Sequence, residues 1–230
     1  VPGLLPTDLM ESVGHRVLEI ANDLPDWSER RFQVLDPAFR QSDRGKPLPV
    51  GLQRPGQEEP LFQTVVEHPK LIDAMAGLLN GPVERFTDQI GIKYGWNQTE
   101  QGGRSYFHQD SWYWKIDPKL GCNCWIPTSS VDRNAIALAV MPRSHREWVL
   151  ADHESYFDDP PMGRVGDRFE PFKRHRIPLD RIDYKNENLI PMAPGDALFF
   201  SNYTWHRSEP NRTGETKSFY AIAYQRSARS

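Results

Sequence analysis

Cysteine is nearly missing from this sequence, no apolar run is long, and neither sign of charge dominates. The two cysteines, Cys122 and Cys124, form a C-x-C pair. In one strand they would share a face with Cα atoms near the upper limit for a disulfide. A lone C-x-C also supplies too few ligands for a structural zinc site. They read as reduced core thiols of a cytosolic protein. No apolar stretch approaches the ~20 residues that cross a bilayer. No segment built like a signal peptide opens the chain, which begins with Val1. A cytoplasmic location without a membrane partner is therefore expected, and the sequons at Asn97, Asn202 and Asn211 carry little weight. With 28 Lys and Arg against 31 Asp and Glu, the net charge is −3. The strong basic excess of a nucleic-acid binder is absent.

What is present suits one large domain over residues 1–230, with 38% hydrophobic and 26% charged residues. "PTDLMESVGHRVLEIANDL" predicts a helix capped by Thr7, with Leu9, Val13, Val17 and Ile20 along one stripe. Residues 24–58, rich in Pro, Gly, Arg and Asp, read as irregular loop. "HPKLIDAMAGLLNG" predicts a second helix: Pro69 suits its first turn, Leu71, Met75, Leu78 and Leu79 form its apolar face, and Asn80-Gly81 stop it. After residue 82 the period changes. "ERFTDQIGIKYGW" alternates, with Ile90, Ile92 and Tyr94 opposite Gln89, Gly91 and Lys93. "GCNCWIPTSS", "AIALAVMP", "GDALFFSNYTWH" and "KSFYAIAYQ" are further strand-like runs between turn signals. Helices followed by many short strands predict an antiparallel sandwich or barrel with helices outside it. Residues 148–188 do not alternate and pass from acidic to basic. So long an insertion suggests a lid, a binding loop or a disordered segment.

The chemistry concentrates in "YFHQDSWYW", Tyr106 to Trp114. In an extended strand residues i and i+2 face the same way, on the order of 6.5–7 Å apart, so His108 and Asp110 could converge on one ion. A third ligand is at hand: His206, 98 residues further on, ends the strand-like run "SNYTWH". Two histidines and one carboxylate occupy one face of an octahedral metal and leave three positions open, as non-haem Fe(II) oxygenases require. On spacing alone, an exposed polar pair beside an unrelated core histidine fits equally well.

The surrounding residues resemble the phytanoyl-CoA dioxygenase family of Fe(II)/2-oxoglutarate oxygenases. The likeness runs from "VPGLLP" through "FHQD", "CWIPTSSVDRNAIALAVMPRSH" and "APGDALFFSNYTWHRSEPN" to "SFYAIAYQ". It implies a mainly β fold with flanking helices, the double-stranded β-helix, a cupin-like jelly roll with the metal at its mouth. It implies His108, Asp110 and His206 as iron ligands and Ser208 as a hydrogen-bond partner of the far carboxylate of 2-oxoglutarate. Where the family has an arginine paired to that carboxylate, eleven residues past the distal histidine, this chain has Lys217. Lysine is a point charge without the planar fork, although it still anchors a carboxylate. Arg212 and Arg226 are the alternatives.

The same likeness places Lys93 and Trp125 near the cosubstrate, where a solvated lysine and a core tryptophan are the plainer readings. Tyr106, Trp112 and Trp114 become candidate substrate contacts, the two tryptophans because alternation would put them on the side of Asp110. The basic run in 164–181 could hold an anionic substrate, or be only a solvated loop. The implied reaction is oxidation of a small molecule by O₂, with 2-oxoglutarate released as succinate and CO₂. The presence of Asp110 favours hydroxylation over halogenation, while desaturation, ring formation and epimerisation use the same ligands. Two other readings stand beside it: a cupin-like metalloenzyme that does not use 2-oxoglutarate, and a silent relative that only binds a ligand. The oligomeric state is not readable.

Overall fold

The computed structural model describes residues 1–35, 48–95, 105–117, 119–156, 162–163 and 173–227. The Asn97 sequon and Arg164 and Arg168 of the basic run lie outside these residues.

The N-terminal helix α1 (Thr7–Asn22) buries Met10, Val13, Val17 and Ile20. Their spacing of three and four residues is one face of a 3.6-residue helix. Two details of the expected helix change. Met10 replaces Leu9 in the buried stripe, and Thr7 does not cap. Its hydroxyl instead donates to the Pro194 carbonyl at 3.4 Å, so the helix start is tied to the strand region. Helix α2 (Pro60–Val66) was not foreseen. Helix α3 (Pro69–Leu79) stops at Asn80, whose left-handed φ of 52° ends the ladder. Leu71, Met75 and Leu79 are buried there, whereas Leu78 is 58% exposed.

Residues 24–58, expected to be loop, contain strands β1 (Phe32–Leu35) and β2 (Leu48–Gln53). The remaining strands are β3 (Val83–Lys93), β4 (Gly121–Pro127), β5 (Leu138–Val140), β6 (Glu154–Tyr156), β7 (Met162–Gly163), β8 (Arg174–Arg176), β9 (Asn188–Ile190), β10 (Leu198–Phe200), β11 (His206–Ser208) and β12 (Lys217–Arg226). A seven-stranded sheet runs β10-β4-β12-β3-β2-β1-β7, and a three-stranded sheet runs β11-β5-β9. Every strand pairing among the described residues is antiparallel. The architecture is the jelly roll of cupin-like proteins, mainly β with flanking helices.

Strand alternation decides what faces what. Ile90 and Ile92 of β3, Cys122, Cys124 and Ile126 of β4, and Tyr220, Ile222 and Tyr224 of β12 join the helices in one core. Both cysteines are free and buried. Burial pushes the Cys122 thiol up to about 12 and raises Cys124 well above its ordinary value, so neither offers a thiolate near neutral pH. The opposite face carries Gln89, Gly91 and Lys93 of β3 and Phe219 and Ala221 of β12, and it lines a cavity. None of the described helices is long and apolar enough to cross a membrane.

Candidate metal centre and cosubstrate pocket

The cavity holds about 270 Å³ between the two sheets. At one wall the chain brings His108 and His206 face to face. They form an isolated antiparallel bridge in which each backbone N–H donates to the other residue's carbonyl, both at 3.1 Å. Asp110 follows one residue beyond Gln109, which is still extended, and opens a tight 3₁₀ turn, Asp110–Trp112. His108 Nε2 lies 3.6 Å from Asp110 Oδ1, and His206 Nε2 lies 3.6 Å from Oδ2. One ligand atom from each residue falls within 4.8 Å of the others.

The donor set fits a divalent metal. His108 Nδ1 lies 2.8 Å from the Tyr106 carbonyl and His206 Nδ1 2.9 Å from the Thr204 carbonyl. A carbonyl only accepts, so each Nδ1 carries the proton and each Nε2 presents its lone pair to the site. Ligands about 2.1 Å from one ion stand roughly 3 Å apart on an octahedral face, so an ion would draw these atoms together from separations of 3.6 Å for the two His–Asp contacts and up to 4.8 Å overall. Burial pushes the His206 imidazole down to about 4, with the Asp110 carboxylate opposing. It is neutral and ready to coordinate at physiological pH. Burial also pushes the Asp110 carboxyl up, but the two imidazoles outweigh it and hold the group below the ordinary carboxylate value.

Further along the cavity, Lys93 Nζ donates to Ser208 Oγ at 2.6 Å and to the Glu209 carbonyl at 2.7 Å. Ser208 also meets Ser105, with the two hydroxyls 2.9 Å apart and the Ser208 N–H donating to Ser105 Oγ at 2.7 Å. Ser208 is two residues past His206 on the same face of β11, about 7 Å away. Trp125 stacks on Phe219 (5.1 Å, 26°) and forms the cavity floor. Gly91 gives that pair its room, because a Cβ there would lie 2.2 Å from the Phe219 ring.

Three of the candidate residues lie outside the cavity lining. Lys217 does not line the cavity with Lys93, although the two are register partners on β3 and β12. Its ammonium is drawn to Glu215 at 2.9 Å. Trp112 turns away because the 3₁₀ turn breaks strand alternation. It is 37% exposed and stacks on His153 at 4.5 Å, while Trp114 does line the cavity. Tyr106 is covered by the two-stranded β6–β8 pair, with Tyr156 at 5.0 Å and the Arg176 guanidinium over its ring at 4.6 Å.

Other residues escaped the sequence reading. Gln109, between the two ligands, is fully buried. Its Nε2 donates to the Val149 and Tyr203 carbonyls at 3.0 and 2.8 Å, and its Oε1 accepts from the Ala151 N–H at 2.7 Å. The Gln109 N–H donates to His153 Nε2 at 3.1 Å, while His153 Nδ1–H donates to the Ala151 carbonyl. Arg174, in the supposedly solvated basic run, lines the cavity. Asn123, buried on β4, is another, and its polar type between Cys122 and Cys124 is the one local signal among them.

A family model described as phytanoyl-CoA dioxygenase matches residues 20–219. The chain belongs to the phytanoyl-CoA dioxygenase family. That family consists of non-haem iron, 2-oxoglutarate-dependent oxygenases, and the two-histidine, one-carboxylate set fits its metal. A curated relative, the methylphosphonate hydroxylase of Gimesia maris, is 26% identical over 158 residues, 67% of this chain and 50% of that protein. The chain thus spans about half the length of this relative. Among solved structures, AviO1 from Streptomyces viridochromogenes matches with a TM-score of 0.69 at 17% identity, covering 99% of this chain and 88% of that one. The epimerase SnoN, solved with Fe³⁺, α-ketoglutarate and a nogalamycin compound, gives 0.66 at 15% identity, covering 98% and 77%. At these identities the two structures support the shared fold of the phytanoyl-CoA dioxygenase family.

Proposed function

We propose that this chain is an Fe(II)- and 2-oxoglutarate-dependent hydroxylase of a small anionic molecule, with residues 1–230 working as one unit. The observation that carries the reading is the meeting of His108, Asp110 and His206 in a cavity whose wall also holds the Lys93–Ser208 pair. When bound, Fe(II) with 2-oxoglutarate activates O₂ to hydroxylate an unreactive C–H, and 2-oxoglutarate leaves as succinate and CO₂. In this reading the three ligands hold the metal, and Lys93 with Ser208 takes the far carboxylate through charge-assisted hydrogen bonds. Lys217 then no longer has to replace the family's arginine, and the main reason to consider an enzyme without 2-oxoglutarate falls away. Trp125 and Phe219 orient the cosubstrate and exclude water. Among the described residues of 148–188, the paired strands β6 and β8 cover the metal arm through Tyr156 on Tyr106 and His175 on Trp112, and in this reading they shield the site from water.

Anaerobic addition of Fe(II) and 2-oxoglutarate is expected to give the visible charge-transfer band of a chelated cosubstrate. Lys93→Ala should raise the 2-oxoglutarate needed for half-maximal absorbance by about 10–100-fold, the worth of one charged hydrogen bond. Lys217→Ala should change it by less than about threefold, as expected of an ion pair with an exposed partner. A larger loss in Lys217→Ala would return the anchor to β12, and no band in the unaltered protein would sink the oxygenase reading.

The substrate class rests on Arg174, the second cation of the described cavity wall, and on likeness to an enzyme named for methylphosphonate. Short alkylphosphonates and carboxylates should stimulate succinate formation more than neutral alcohols of equal size. Arg174→Ala should raise their KM by about 10–100-fold. Equal stimulation by neutral analogues would remove the anionic substrate from the proposal.

A further inference from the structure

The carboxylate ligand is held from a direction that the two histidines do not supply. Strand β4 is buried along its whole length, and Asn123 is its one strongly polar side chain, between Cys122 and Cys124. Asparagine is a poor strand former, and its buried amide costs free energy unless it is hydrogen-bonded. At 4% exposure, Asn123 directs its Nδ2 at Asp110 Oδ2 in a very short hydrogen bond. We infer that Asn123 is a positioning residue of the proposed metal centre: it fixes how Asp110 presents its carboxylate, leaving one oxygen for the ion.

A carboxylate only accepts, so the amide orientation is decided by chemistry: the NH₂ faces Asp110 and Oδ1 faces away. Asn123 is clamped on both sides by the sheet, opposite Phe200 of β10 and Ala223 of β12. It therefore offers its donor from a rigid base. The terminal torsion of an aspartate is broad and roughly two-fold. Left alone, the carboxylate could rotate and offer both oxygens to the metal, consuming a position that a cosubstrate or O₂ requires. With Oδ2 engaged by the amide, Oδ1 is the unencumbered donor. No sequence motif announces this role, because the partner lies 13 residues away, in the 3₁₀ turn that opens at Asp110.

The inference rests on the metal centre proposed above, and the test separates the two. The protein is titrated anaerobically with Fe(II) and with Co(II), whose visible spectrum reports coordination. The variants are Asn123→Leu, close in volume but without a donor, and Asn123→Ala. Loss of an outer partner should weaken metal affinity by about 10–100-fold. It should also alter the Co(II) spectrum and increase 2-oxoglutarate consumption without product, while the melting temperature of the metal-free protein stays near that of the unaltered chain. If Asn123→Leu does not fold, Asn123→Ala carries the same expectation without bulk. Metal affinity and a Co(II) spectrum identical to those of the unaltered chain in either folded variant would overturn the role of Asn123. No metal binding by the unaltered protein would instead remove the centre itself.

Discussion

Alanine at His206 is expected to leave a folded protein with no measurable turnover. Loss of an outer-shell partner costs a metal site about 10–100-fold in affinity, and removal of one of three ligands should cost more. The fold should survive because His206 holds the sheet through its backbone. Its N–H and C=O close the bridge to His108 whatever the side chain. The imidazole is nearly buried, and burial pushes its pKa down to about 4. Deleting it removes a desolvated group rather than a stabilising charge. Anaerobic iron titration, oxygen uptake and circular dichroism together check the result. Unchanged iron binding would exclude His206 as a ligand, and unchanged biological activity without turnover would favour a protein that only binds its ligand.

Gln109→Leu should have the largest effect on stability. The glutamine satisfies two carbonyls and one N–H from segments 40 and 94 residues away in sequence, Val149–Ala151 and Tyr203. Leucine matches its bulk but leaves all three backbone groups without these partners. At about 1–3 kcal/mol for each group left unpaired, with some recovered by water, the cost is roughly 3–6 kcal/mol, or a melting temperature lower by on the order of 10 °C or more. Gln109→Glu should be no better, because a carboxylate cannot donate to the Val149 and Tyr203 carbonyls. A melting temperature within about 2 °C of the unaltered chain would show that the strap at 149–153 is not held through this side chain.

The residues that could be read from sequence are those whose role follows from type and local period. The β3 alternation separates Ile90 and Ile92 from Gln89, Gly91 and Lys93, and the H-x-D pair with a later histidine offers a metal set that the family likeness singles out. What escaped depends on long-range pairing. Strands β1 and β2 escape local reading because Phe32, Val34 and Leu52 pack in the core while the cavity side carries Gln33, Gly51 and Gln53, a half-polar pattern amid prolines. Lys93 and Lys217 are both lysines on adjacent strands. Which one reaches the cavity is decided by Ser208 and Glu215, whose positions no local pattern gives. Trp112 leaves the side of Asp110 because a 3₁₀ turn begins at Asp110, where period-two reasoning stops.

The backbone bridge between His108 and His206 has a consequence for the chain as a polymer. An ion shared by these two residues would close a covalent-like ring of 99 residues, both ends counted, containing β4 through β10. Such a ring acts as a disulfide does, restricting the open chain more than it strengthens the closed one. Because the two strands already meet through their main chains, little ordering remains to be done when the ion arrives. The metal would be a clasp on a purse already drawn shut, and its removal would loosen the mouth of the jelly roll before its helix-covered back.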